Sequence, residues 1–263
     1  MQNHEIDYVI HGEEMQYVEV ELDPMETAVA EPGSFMMMDD GISMETIFGD
    51  GSQQQGGLLN KLFSAGKRLI VGENLFMTAY TNVGSGKKHV SFASPYPGKI
   101  IPLDLMRLGG RVICQKDAFL CAAKGVSVGI EFQRKLGTGL FGGEGFIMEK
   151  LEGDGMAFVH AGGHVLERHL QPGELLKIDT GCIVGFTGGV HYDIQFVGGI
   201  KNTLFGGEGV FFATLRGPGT VWVQTLPISR LASRILSYGS SSRRKEEGSI
   251  LGGLGNLLDG DGL

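Results

Sequence analysis

Long apolar runs are missing from this 263-residue chain, and none approaches the length of a membrane-spanning helix. A basic-then-apolar leader is also missing, so no signal peptide is expected and the expected compartment is the cytoplasm. Cysteine is scarce. Cys114, Cys121 and Cys182 are odd in number and lack metal-type spacing, which argues against a disulfide framework and predicts buried thiols in a reducing compartment. Positive charge is short: 22 Lys and Arg stand against 30 Asp and Glu, a net charge of −8. Affinity for phosphates comes largely from Lys and Arg, so nucleic acid is not an expected partner. Catalytic signatures are missing as well. There is no Gly-x-Ser-x-Gly elbow and no Cys/His pairing that sequence alone could justify. Acidic residues are plentiful, but without geometry a catalytic pair of them looks like any solvated face.

Glycine is in excess. Its 44 residues are more than double the usual share of about 7%. They follow no collagen period and sit between apolar runs, the pattern of many short strands joined by tight turns. The chain also repeats itself. Leu140-Phe-Gly-Gly-Glu-Gly145 returns unchanged as Leu204-Phe-Gly-Gly-Glu-Gly209, 64 residues later. The same offset lays Gly125–Phe132 on Gly189–Phe196, and an offset of 84 finds an earlier copy at Gly41–Phe48. Fixed-period similarity of this kind marks a repeated supersecondary unit. The reading is three related β units, 1–98, 99–163 and 164–227, with an insertion at 49–71 in the first and a C-terminal helix and flexible tail over 228–263. Each unit alone is marginal in size for a core, so the three are expected to fuse into one body.

Taken in order, strands are expected at Tyr8–Ile10, Tyr17–Leu22, Thr27–Ala30, Ser34–Met38 and Ile42–Phe48. Apolar or β-branched residues fall at every second position in the last of these (Ile42, Met44, Thr46, Phe48), as they do in Val126–Phe132 and Val190–Phe196. Period two predicts one buried face in each. Gly49–Gly57 reads as a flexible loop. Leu58–Arg68 reads as a short amphipathic helix, either capping the core or touching a partner or a membrane. Hairpins follow at 74–93, 146–160 and 210–224, the latter two turning on Gly153-Asp-Gly155 and Gly217-Pro-Gly219. Trp222 aligns with Phe158 and is expected in the core. Ile228–Tyr238 is expected to be an amphipathic helix, and Ser240–Gly248 a disordered linker.

The repeated Leu-Phe-Gly-Gly-Glu-Gly phrase resembles a phosphate loop only superficially, because β-type residues follow it and no Lys ends it. It reads as a bulge or corner. Glu73, Glu144 and Glu208 occupy matching positions, beside Gly142, Gly143, Gly206 and Gly207. A carboxylate there would accept hydrogen bonds from freed backbone N–H groups, a structural role. The weak metal candidates are His160, His164 and His191. The 64-residue offset places them opposite Gln224, Ile100 and Ser127, so no ligand set is repeated, and the chain has no His-x-His pair. No metal or cofactor is expected.

Several of these stretches, in order, resemble one family: Glu19-Val-Glu-Leu-Asp-Pro24, Ala30-Glu-Pro-Gly33, Gly72-Glu-Asn-Leu-Phe-Met-Thr78, Gly137–Gly145 and Leu204–Gly209. The chain is identified over about 5–227 as a bacterial or archaeal member of the family named for altered inheritance of mitochondria. The resemblance implies a fold like the tryptophan RNA-binding attenuation protein, with three β-sandwich units fused in one chain. Mitochondrial members are linked to inner-membrane organisation. The resemblance brings no catalytic residue.

The expected fold is therefore all-β: three tandem sandwich or jelly-roll units about an approximate threefold axis, with a short C-terminal helix. The expected function is a non-enzymatic scaffold or interaction protein that self-associates, since exposed strand edges pair unless covered. Protein partners and peripheral membrane contact remain open. One alternative is a small-molecule or peptide binder using clefts between the units. Another is a metal-dependent enzyme, which would require His160, His164 or His191 to converge.

Overall fold

The structure, a computed structural model, describes residues 5–48, 76–134, 146–196 and 211–246. The expected amphipathic segment Leu58–Arg68 and the repeated Gly-Glu phrases lie outside the described residues. The first stretch of the body carries β1 (Asp7–His11), β2 (Tyr17–Leu22), β3 (Thr27–Ala30), β4 (Phe35–Met38), β5 (Ile42–Phe48), β6 (Phe76–Asn82) and β7 (Lys88–Ala93). The second carries β8 (Gly98–Asp104), β9 (Arg111–Gln115), β10 (Phe119–Ala123), β11 (Ser127–Arg134), β12 (Phe146–Glu152) and β13 (Met156–Gly162). The third carries β14 (Val165–Leu170), β15 (Leu175–Asp179), β16 (Ile183–Thr187), β17 (His191–Phe196), β18 (Phe211–Arg216) and β19 (Gly219–Gln224). The fold is all-β up to Pro227, and a separate unit follows with helix α1 (Ile228–Glu246).

Among the described residues four antiparallel sheets form, in the orders β1-β2-β7-β4, β5-β6-β3-β10-β13-β8, β11-β12-β9-β16-β19-β14 and β15-β18-β17. With β1 set aside, each run of six strands pairs alike: its first, sixth and third strands form one half-sheet, and its fourth, fifth and second another. The second strand of one run then pairs with the third strand of the next, β3 with β10 and β9 with β16. One irregularity recurs with the pattern. The register of β4, β10 and β16 against the sixth strand of its run breaks between Phe35 and Met37, between Phe119 and Cys121, and between Ile183 and Gly185. Such a bulge bends the strand and re-aims its side chains.

The cores follow the shared sheets. Val18, Val20, Leu22, Tyr80 and Phe92 of the first stretch pack with Leu120, Cys121 and Phe158 of the second. Val112, Cys114, Val128 and Leu151 of the second pack with Val29 and Met77 before them and Val184 and Trp222 after them. Phe146 and Met148 join Phe186, Ile194 and Leu215 in the last core. Trp222 is buried as expected, and its ring nitrogen donates to Glu167 Oε2 at 2.9 Å.

Four expectations need correction. The hairpins expected at 74–93, 146–160 and 210–224 do not form: β6, β12 and β18 lie in different sheets from β7, β13 and β19, because each connecting turn carries the chain from one half-sheet to the other instead of folding it back onto its neighbour. On the supposed apolar face of β5, Ile42 is buried but Met44 and Thr46 are exposed. Among the described residues the strand ends its sheet, which leaves its outer flank uncovered by them. Cys182 is half-buried, unlike Cys114 and Cys121. Finally, the C-terminal helix does not stop at Tyr238 but continues to Glu246, through residues read as a linker. Arg243, Arg244, Lys245 and Glu246 are good helix formers and extend it past Gly239.

One buried polar side chain ties the end of β2 to the β6–β7 turn. Asn82 Nδ2 donates to the carbonyls of Leu22 and Gly86, both at 2.8 Å, and its Oδ1 accepts from Gly84 N–H at 3.0 Å. Asn82→Ala removes three hydrogen bonds from a buried site, and about 2–4 kcal/mol of stability should go with them. Urea unfolding checks this through a lower midpoint at unchanged slope.

Candidate functional site

Of the residues singled out by sequence, Glu73, Gly142, Gly143, Glu144, Gly206, Gly207 and Glu208 lie outside the described residues. The three histidines do not converge. His164 sits exposed between β13 and β14, and His191 starts β17 opposite Arg216. His160 is buried on β13, with Tyr96 edge-on at 4.4 Å between ring centroids. A Cβ on Gly98 would lie 2.6 Å from its Nε2, so the ring is wedged against backbone. Among the described residues no group of three His, Cys, Asp or Glu stands where it could hold a metal ion.

The structure instead gathers ionisable groups at the β9–β10 connection. The one-turn helix Lys116–Ala118 bridges those strands and packs on β12 and β13. Beneath it lies Glu149 of β12, 1% exposed, with both carboxyl oxygens lacking a hydrogen-bond partner. Glu149 stands beside Cys114 in the ladder. Burial pushes its carboxyl up to about 8, the charge of Glu31 adds to this, and Lys116 opposes it. Glu31, just past β3, is half-buried and donates its backbone N–H to the Leu120 carbonyl across the β3–β10 joint. Burial first and then Asp117 push its carboxyl up to about 7. The Cys114 thiol is pushed well up by burial and by Glu149, which keeps it from acting as a thiolate nucleophile. Burial likewise pushes Tyr96 up to about 12 and His160 down to about 4, the nearby Tyr96 backbone favouring the charged ring only slightly.

Chemically, this is a buried place that holds protons. Around neutral pH Glu149 is largely a neutral acid and His160 a neutral ring. Nothing in the spacing of Glu31 or Glu149 announced it. In β12 both Met148 and Glu149 are buried, so the alternation that would mark Glu149 as outward fails there. His160 does have a legible counterpart. At the aligned position Gln224 accepts from Gly162 N–H and donates to the Gly181 carbonyl, at 2.8 and 2.9 Å.

That counterpart sets an expected result. The folded pKa of His160 lies below its ordinary 6.5, so its stabilising share is present above pH 6.5 and disappears as pH falls toward 4. His160→Gln should therefore flatten the acid side of the stability curve. Thermal melts should show its deficit or gain relative to the parent shifting in its favour by roughly 2 kcal/mol between pH 7 and pH 4.5.

The comparisons with known proteins agree with the architecture. Residues 8–226 match the family described as Mitochondrial biogenesis AIM24. An uncharacterized protein of Streptococcus pyogenes serotype M6 is 29% identical over 225 residues, spanning 84% of this chain and 86% of that protein. The crystal structure of a further Streptococcus pyogenes protein, from a structural genomics consortium, is similar with a TM-score of 0.66. Its identity is 21%, over 89% of this chain and 99% of that one, a likeness of fold. The matched span runs from β1 to the residue before Pro227, which is the β body itself; on that evidence the chain belongs to the mitochondrial biogenesis AIM24 family.

Proposed function

We propose that this protein is a non-enzymatic β scaffold that works by self-association. The observation that carries the reading is β4. Phe35, Met36, Met37 and Met38 are all exposed, on the last strand of a sheet whose outer edge is unpaired among the described residues. An apolar edge of this kind is a template for another strand unless something covers it. Methionine side chains, unbranched and adaptable, suit such a contact. The buried acid near Lys116, Glu149, supports the same reading from the other side, since at 1% exposed it is out of reach of a substrate.

We read the three runs of six strands as tandem copies of one module, each joined to the next. The recurring pair order and the recurring bulge support this. Cys114, Cys121 and Cys182 form no disulfide among the described residues, which fits a reducing compartment such as the cytoplasm. No helix among the described residues is long and apolar enough to cross a membrane. Size-exclusion chromatography with light scattering on the full 28.2 kDa chain tests the scaffold reading. Assemblies of two or more chains at micromolar concentration are expected, and a strict monomer overturns the reading.

A further inference from the structure

We infer that β15 of one copy takes up β4 of a second copy, making between chains a third joint of the kind made twice within each. This rests on the scaffold reading and names its contact. Within the chain, the second strand of a run always meets the third strand of the following run. β3 meets β10 with Ala30 opposite Cys121, and β9 meets β16 with Cys114 opposite Gly185. Among the described residues two strands of those classes are left over. β4, the third strand of the first run, ends one sheet, and β15, the second strand of the last run, ends another.

Burial marks the same two strands as incomplete. Leu120 of β10 and Val184 of β16 are 2% and 0% exposed, whereas Met36 at the matching position of β4 is 48% exposed. Met77 and Met148, beside the two internal joints, are 2% and 0% exposed, and their counterpart Phe212 beside β15 is 38% exposed. Leu175 on β15 is exposed as well. The sequence thus places apolar side chains on both unpaired edges, where the internal joints bury theirs. A second copy supplies a strand of the required class to each edge at once.

The internal registers fix the expected one. Carrying both ladders forward places Met37 opposite Ile178 and Met38 opposite Lys177. At the β3–β10 joint the Glu31 N–H donates to the Leu120 carbonyl. Ala30 and Cys121 are therefore a non-hydrogen-bonded pair, and so by equivalence are Ile178 and Met37. The contact is head-to-tail, so it propagates as a ring or an open chain.

Two measurements on the full chain test this. Met38→Lys puts like charges opposite one another across the joint. It should weaken self-association at least tenfold in light scattering, and adding Lys177→Glu should restore it. The pair Met37→Cys with Ile178→Cys should, on mild oxidation, give disulfide-linked dimers and higher ladders on non-reducing gels, absent from either single variant. An assembly insensitive to Met38→Lys that yields no such ladder overturns the inference and leaves the scaffold reading standing. A disulfide confined to single chains also overturns the inference, because β4 then meets β15 of its own chain. A parent protein that is strictly monomeric overturns both.

Discussion

Replacing Glu149 by Gln should stabilise the protein by roughly 3 kcal/mol at pH 8.5 and change little at pH 5. The sign follows from the position of the carboxyl. Its pKa is raised in the folded state from 4.5 to about 8, because it is buried and faces the charge of Glu31. The folded chain therefore binds a proton that the unfolded chain has released. Stability from this group is complete below about pH 4.5 and is lost as pH rises through 8. Gln keeps the shape and the neutral polar character while removing the ionisation, so the variant escapes that loss. For a body of this size the difference corresponds to about 6–12 °C in melting temperature. Melts of parent and variant at pH 5 and pH 8.5 check it, and a difference that is the same at both pH values would refute the placement of Glu149. Glu31, half-buried, should show the same sign with a smaller slope.

His160 tilts the curve the opposite way. Its neutral ring costs stability only on the acid side, below about pH 6.5. The two buried groups together place the broad maximum of stability on the mildly acidic side of neutral, between the two losses.

Much of this fold was legible locally. β2, β3 and β5 have the expected limits because Pro24, Pro32 and Gly41 punctuate them. Gly41 and Gly125 both take positive φ, +90° and +105°, at the turns leading into β5 and β11, so the aligned glycines answer a real backbone demand. The repeat offset also predicted which residues would be equivalent, as Phe158 and Trp222 are at the recurring bulge. What periodicity could not supply was pairing across runs. That β3 joins β10 is a contact over some ninety residues of chain, and neither strand carries a mark of its partner. Glu149 stayed hidden for the same reason. A strand near such a joint can be covered on both faces, and the residue that alternation assigns to solvent is then buried.

The joints make one prediction that separates a fused body from three adjoining units. Phe158 belongs to the second run of strands, yet its fully buried ring packs in the core of the first, with Tyr8 edge-on at 4.8 Å. Trp222 of the third run enters the core of the second in the same manner. The first and second cores are thus each closed by an aromatic side chain from the next run. Phe158→Ala should cost about 3–5 kcal/mol, through lost burial and the cavity left behind. Because that loss falls on a core shared by two runs, residues 5–227 should still melt in one transition at a lower temperature. Calorimetry decides this: a single endotherm displaced downward, with van't Hoff and calorimetric enthalpies in agreement, is expected. A split into one weakened and one unchanged transition would mean the runs fold separately, and the shared sheets would then be too weak to couple them.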